Sequence, residues 1–389
     1  MSQHFFYPLS TVVKPYPWGS RSALHQRFHV PNPDAQPQAE LWMGVHPAGM
    51  SQVMDQGTPL ALSELIARDR KGMLGAATAA RFGDLPYLMK ILAADRALSI
   101  QVHPQKAQAE AGYARALRAN EDIPDYNDAN HKPELVYAIT PFIAMNGFRD
   151  IADIVENFRL LAVTALSPAV DALAQQPDAV GLKVFFSTLM QLSADAKAAA
   201  LKRVVSAPFD DTLMAVIQQL YQHYPHDAGV LAPLYLHCIT LQPGEAMFLY
   251  PGTLHAYVQG TAVEIMASSD NVLRAGLTDK KINVEELIAC TTFSPISRTS
   301  LLMEPEWQEG QAHYPIPIDD FRFTVLNANE ALPMQTRSAE IVLVMTGSAT
   351  LTHPAGDTLT LQTGQSAFIP AATQNWTLTN TGTLCRAYS

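Results

Sequence analysis

Cysteine is scarce in this chain of 389 residues: only Cys238, Cys290 and Cys385. An odd number with no paired spacing excludes a disulfide framework and points to free thiols in a reducing compartment. Charge is thin as well, at 16% of residues, too little for a coiled coil or a charged nucleic-acid-binding tail. A basic excess is missing: 36 acidic residues face 26 basic ones, a net charge of −10. That argues against a general DNA or RNA binder, whose face is basic. An anionic small ligand stays compatible, because a local cluster of Lys and Arg can oppose the global field. No apolar stretch approaches the length of a membrane span. The start, Met1-Ser2-Gln3-His4-Phe5-Phe6, has no basic segment followed by an apolar run, so no secretory leader is expected. These absences place the protein in the cytoplasm, with neither nucleic acid nor membrane as a partner.

What is present is apolar material, 48% of the chain, enough for a large core, and the length predicts two or three domains. Three textures follow one another. Residues 1–150 are rich in Pro, Gly and short apolar runs such as Leu88-Met89-Lys90-Ile91-Leu92 and Leu98-Ser99-Ile100-Gln101-Val102-His103, which predict strands and turns. One helix is expected among them, from about Pro104 to Leu117, with the proline in its first turn. Over 151–230 Ala and Leu dominate. Ile154, Phe158 and Leu161, then Val184, Phe185, Leu189 and Leu192, recur at helical spacing, and 213–220 is a further helical run. Strand texture returns over 231–310 and continues over 311–389. In the former, turns are expected at 243–245, 251–253 and 259–262, the last separating two strands.

Two segments are alike: Leu241-Gln242-Pro243-Gly244-Glu245-Ala246-Met247-Phe248-Leu249-Tyr250-Pro251 and Leu361-Gln362-Thr363-Gly364-Gln365-Ser366-Ala367-Phe368-Ile369-Pro370. Each reads strand, glycine turn, strand, proline, as in a cupin-type jelly roll repeated within the chain. The expected fold is mainly β with an α-helical insertion, two cupin-like jelly-roll barrels plus a helical domain. The catalytic barrel takes 1–150 and 231–310, the helices 151–230, and a C-terminal barrel 311–389. Four residues beyond Pro251 stands His255; beyond Pro370 the chain has Ala371, Ala372, Thr373 and Gln374. One barrel is therefore equipped for a metal ion and the other is not.

The chemistry-bearing residues are Gln101, His103, Glu134 and His255, all on strand-like segments. Positions two apart share a face of a strand, so Gln101 and His103 point the same way, as do Lys132 and Glu134. An even-length hairpin at 259–262 puts His255 and Glu264 on one face. Inward faces of a small barrel meet in one cavity. There two imidazoles, a carboxylate and an amide make a ligand set for a zinc-type ion, with Lys132 and Glu264 lining the same cavity. Bland alternatives stand beside this: Lys132 as the ordinary partner of a half-buried Glu134, His255 as a turn histidine, Arg274 paired internally with Asp270, and Lys90 reaching out to solvent from its apolar strand.

Several of these runs resemble the type I mannose-6-phosphate isomerase (phosphomannose isomerase) family, a bacterial cupin-fold family. They are Tyr16-Pro17-Trp18-Gly19, Ala39-Glu40-Leu41-Trp42-Met43-Gly44, Leu98 to Pro104, His131-Lys132-Pro133-Glu134-Leu135, and Glu264 to Thr278. The resemblance runs in order to about residue 300. It implies a zinc enzyme interconverting mannose 6-phosphate and fructose 6-phosphate by proton transfer through a cis-enediol. One Zn2+ per chain falls on Gln101, His103, Glu134 and His255. Active-site roles fall on Lys90, His131, Lys132, Glu264, Asp270 and Arg274: Lys132, Glu264 and His131 as candidates for moving the proton, Arg274 with Lys90 and Asp270 for the phosphosugar. The other functions compatible with the residues are another metal-dependent cupin enzyme and a non-catalytic sugar-binding cupin protein. A monomer is expected.

Overall fold

The computed structural model describes residues 4–120, 124–327 and 330–389; Met1, Ser2 and Gln3, on which the leader reading partly rests, lie outside them. The chain divides into two compact units. One comprises Met1–Ala93, Ala262–Ser268 and Met303–Ser389, the other Ala94–Thr261 and Ser269–Leu302. Among the described residues no helix is long and apolar enough to cross a membrane.

The second of these units joins a β-structure to the helical insertion. Strands Phe142–Phe148 and Leu236–Leu241 pair antiparallel, as do Glu134–Ala138 and Ala246–Leu249, and Ile100–Val102 and Leu273–Gly276. The helices are Ile151–Leu161, Ser167–Gln175, Ala179–Met190, Ala194–Val204 and Asp211–His223. Their apolar stripes pack into one core with the strands: Ile154, Phe158 and Leu161 join Phe148, Val102 and Ala256. Burying such stripes, not intrinsic propensity, is what holds short helices like these. On the Ala179–Met190 helix the buried stripe is Leu182, Phe185, Phe186 and Leu189. Val184, expected to be inside, is 56% exposed, because it sits on the flank opposite Leu182 and Phe186.

In the other unit, strands Val12–Lys14, Glu40–Met43 and Tyr87–Ala94 run side by side. The C-terminal segment folds as strands Glu340–Val344, Ser348–Thr352, Thr358–Gln362, Ser366–Ile369, Asn375–Asn380 and Leu384–Tyr388. They close over Val342, Val344, Leu351, Leu361, Ile369 and Leu378. The mainly-β fold with a helical insertion is thus as expected from composition and period.

Three further expectations differ from the structure. The helix begins at Lys106, not Pro104. Gln105, in extended backbone, caps it, its own N–H donating to Gln108 Oε1 at 3.0 Å, and the proline sits just outside. Short helices Leu62–Arg68, Arg70–Leu74 and Ala76–Phe82 interrupt the N-terminal strands; Leu62, Leu65 and Ile66 at helical spacing were their signal. Most consequentially, no hairpin separates His255 from Glu264. His255–Ala267 is one 13-residue strand, which passes Gly260 at φ +125°. Pro141 O lies 2.6 Å from where a Cβ on Gly260 would sit, so this kink accepts only glycine.

Candidate metal centre

Each candidate ligand is positioned by a strand end. Gln101 lies on Ile100–Val102 and is the direct cross-strand partner of His255 on one side and of Arg274 on the other. Directly paired residues share a face, so His255, Gln101 and Arg274 form a row across the sheet. Glu134 opens its strand opposite Leu249. His255 follows a turn in which Gly252, at φ +84°, donates its N–H to the His103 carbonyl at 2.8 Å. A Cβ there would meet Thr292 Oγ1 at 2.4 Å.

His103, Glu134 and His255 converge. They are 1%, 2% and 3% exposed, and their ligand atoms all lie within 4.8 Å of one another. His103 Nε2 is 3.3 Å from Glu134 Oε1, and His255 Nε2 is 3.5 Å from Glu134 Oε2. The edge of a tetrahedron with metal–ligand bonds of about 2.0–2.1 Å is about 3.3 Å. Both imidazoles are oriented from behind: His103 Nδ1 donates to the Asn271 carbonyl at 2.7 Å and His255 Nδ1 to the Thr253 carbonyl at 2.9 Å. A carbonyl only accepts, so both rings carry their hydrogen on Nδ1 and turn the Nε2 lone pair inward. Despite that approach to Glu134, the buried His103 Nε2 has no hydrogen-bond partner among the described residues. An orphaned buried acceptor, beside a second imidazole and a carboxylate, is what a zinc-type ion satisfies; the residues fit the group. Gln101 donates through Nε2 to Ser99 Oγ at 3.1 Å.

The electrostatics agree. Burial pushes the His103 imidazole down to about 4, with Lys132 adding to the effect, so the ring is a neutral ligand at pH 7. Burial pushes the Glu134 carboxyl up, but Lys132 and His103 outweigh it and hold the group well below the usual carboxylate range. Lys132 Nζ lies 2.9 Å from Glu134 Oε1. It is the ordinary partner of Glu134 and also acts on His103, so the two readings of Lys132 coincide. His131 is half-buried next to it.

Arg274 is half-buried, with no carboxylate or hydrogen-bond acceptor against it among the described residues; burial alone pushes its guanidinium down. The internal pair with Asp270 is not formed. Asp270 is exposed, and its N–H donates to Asp128 Oδ2 at 2.7 Å. Lys90 does not reach solvent: it is 6% exposed, with Nζ 3.0 Å from Glu264 Oε2 and 5.1 Å above the Trp42 ring. Glu40 accepts from the Trp42 indole N–H at 2.5 Å. Three residues at the centre were not singled out from sequence. Tyr257, two beyond His255 and hence on its face, donates its hydroxyl to Glu134 Oε2 at 3.1 Å; parity was its signal. Asn271 and Asp128 act through loops, for which no periodicity exists.

Comparison with known proteins agrees with this geometry. Residues 6–151 match the catalytic domain of type I phosphomannose isomerase, 161–236 its helical insertion domain, and 311–389 the mannose-6-phosphate isomerase cupin domain. The chain is 42% identical to the mannose-6-phosphate isomerase of Escherichia coli (strain K12), over 98% of this chain and 99% of that protein. It is 34% identical to the human one, over 94% and 93%. A crystal structure of a mannose 6-phosphate isomerase with zinc bound superposes with a TM-score of 0.93 at 40% identity, covering 99% of both chains. A Salmonella typhimurium phosphomannose isomerase mutant gives 0.94 at 40% identity and the same coverage. With its domains matched in order and its whole length shared, the chain belongs to the type I phosphomannose isomerases.

Proposed function

We propose that the protein is a zinc-dependent mannose-6-phosphate isomerase that interconverts mannose 6-phosphate and fructose 6-phosphate. The observation that carries this is the His103–Glu134–His255 cluster, with both Nδ1 atoms pinned to carbonyls and an orphaned Nε2 facing the carboxylate. His103, Glu134, His255 and Gln101 hold one Zn2+. When bound, the ion would supply Lewis acidity that polarises the reacting carbonyl of the sugar.

The remaining work falls to side chains. Arg274 stands two strand spacings, about 10 Å, from His255 in the same cross-strand row. That suits a sugar phosphate with its reacting carbons at the centre and its phosphate on the guanidinium. Lys90 and Asp270 assist in binding. A proton moves between C1 and C2 through a cis-enediol, which requires a base on one face. Lys132, Glu264 and His131 are the candidates, and loss of solvent-deuterium incorporation on replacing each in turn identifies it. The protein works as a monomer in the cytoplasm, a reading supported by three separate thiols; sedimentation of the purified chain tests the first part.

The deciding experiment is a coupled assay with mannose 6-phosphate against glucose 6-phosphate, before chelation, after it, and after zinc is returned. Activity on the mannose epimer that vanishes and returns with zinc is expected. Undiminished turnover in metal-free protein overturns the metal role. Arg274→Ala is expected to raise KM about 10- to 100-fold, the worth of one charged hydrogen-bonded contact; an unchanged KM removes Arg274 from phosphate binding.

A further inference from the structure

The loop at 269–271 grips the loop at 127–130 by an unusual number of bonds for two irregular segments. Asn271 is 0% exposed. Its Oδ1 accepts from the Asn127 and Asp128 N–H groups at 2.7 and 3.3 Å. Its Nδ2 donates to the Asp128 and Asn130 carbonyls at 2.7 and 2.8 Å. In return the Asp128 carboxylate accepts from Ser269 Oγ at 2.9 Å and from the Asp270 N–H at 2.7 Å. Ser269 Oγ in turn accepts from the Asn271 N–H at 3.1 Å.

Two features give this clasp a chemical consequence. The backbone carbonyl of Asn271 is the acceptor that fixes the His103 tautomer. The 127–130 loop runs directly into His131, Lys132 and Glu134. One buried side chain therefore sits between two of the four candidate ligands: it holds the carbonyl behind His103 and the approach of the chain to Glu134. Both its amide hydrogens and its oxygen are committed, so neither an apolar residue nor a carboxylate can substitute for it without leaving backbone groups unpaired.

We propose that Asn271 and Asp128 are positioning residues of the metal centre, joining two loops so that His103, Glu134 and Lys132 are presented to the ion and substrate in one fixed arrangement. The proposal rests on the zinc-isomerase reading. Neither residue is one of the candidate ligands. They act as outer partners do for metal-binding histidines, where loss typically costs 10- to 100-fold in metal affinity or activity.

The test is zinc affinity by competition with a chelator, together with the visible spectrum of the cobalt-substituted protein, in wild type, Asn271→Asp, Asp128→Ala and Asp128→Asn. Wild type is measured first, for zinc binding and for turnover. If it binds no zinc or does not isomerise, the functional reading itself fails. If it does both, the variants decide the clasp. Asn271→Asp is expected to weaken zinc about 10- to 100-fold, to shift the cobalt spectrum, and to lower kcat more than it raises KM. Asp128→Ala should move the same quantities less, and Asp128→Asn, which keeps an acceptor for Ser269 or Asp270, should recover part of the loss. Should Asn271→Asp fail to fold, the two Asp128 variants carry the comparison, since Asp128 is half-exposed. Folded variants with wild-type zinc affinity and cobalt spectrum, whatever their melting temperatures, overturn the proposal.

Discussion

In the turn at 242–245, the Glu245 N–H donates to the Gln242 carbonyl at 2.9 Å, and the Gln242 N–H returns a bond to the Glu245 carboxylate at 2.7 Å. In the turn at 362–365, Gln365 and Gln362 make the same two bonds at 2.9 and 2.8 Å. Gly244 and Gly364 stand at φ +95° and +83°. The likeness continues into the sheets: Glu134 is paired opposite Leu249 in one, Glu340 opposite Ile369 in the other, and both carboxylates are buried. There the likeness stops. Glu134 faces two imidazoles and an amine. Glu340 faces the Arg386 guanidinium, whose Nε donates to it at 2.6 Å, and the surrounding interior is closed with Val342, Leu361 and Leu378. A buried carboxylate needs a counter-charge. One barrel gives Glu340 the Arg386 guanidinium alone, and the other gives Glu134 the Lys132 amine together with two imidazoles whose Nε2 lone pairs turn inward as ligands for an ion. Only the second arrangement can do chemistry.

Four experiments break or sharpen this contrast. The largest effect is expected from Glu134→Gln, which removes the only anionic ligand. Bound zinc, read by metal analysis, should be lost, and isomerase activity should fall by more than about 100-fold, beyond the range of outer-partner substitutions. Next comes Arg386→Ala, which strands Glu340. Breaking a buried pair in this way costs about 3–5 kcal/mol, to be read from urea denaturation. Zinc content and kcat of the folded protein should be unaltered, and a loss of zinc would end the idea that the two carboxylates serve separate purposes.

A smaller effect is expected from pH in the chelated protein. The folded imidazole of His103 lies near 4, against the ordinary 6.5. The unfolded chain therefore binds the extra proton first, and stability falls as pH drops from 6.5 towards 4, by at most about 3 kcal/mol. Glu134, held low by Lys132 and the histidines against its burial, adds a further fall in the same direction below 4.5. Denaturation midpoints that stay level over this window would remove the buried neutral imidazole. The smallest effect, none, is expected from Gln374→His, which puts a histidine at the position matching His255. Zinc should remain one per chain because Arg386 already occupies Glu340.

The parts of this molecule that follow a period were legible from sequence. The helical insertion announced itself through Ile154, Phe158 and Leu161. The turns at 242–245 and 362–365 announced themselves through glycine, and Gln101 and His103 through alternation. The hairpin expected between His255 and Glu264 does not exist. In its place the strand shifts register between Tyr257 and Gln259 against its neighbour. Such a bulge inserts one residue and resets alternation, so counting by twos from His255 no longer reads the faces of the strand beyond it. Short-range pattern cannot tell a bulged strand from a turn, because both are marked by Gln, Gly and Thr.

By itself the sequence determined the ligand chemistry: two imidazoles, a carboxylate and an amide on strand ends, with a lysine two residues from the carboxylate and an arginine inside an apolar run. Those follow from residue identity and local spacing. Only the tertiary structure decided which nitrogen of each histidine faces inward, that Arg274 stands in line with Gln101 and His255, and that Asn271 ties His103 to the loop before Glu134. Each of these depends on a backbone carbonyl or a cross-strand register supplied by a segment far away in the chain, and no local pattern encodes which distant carbonyl will arrive.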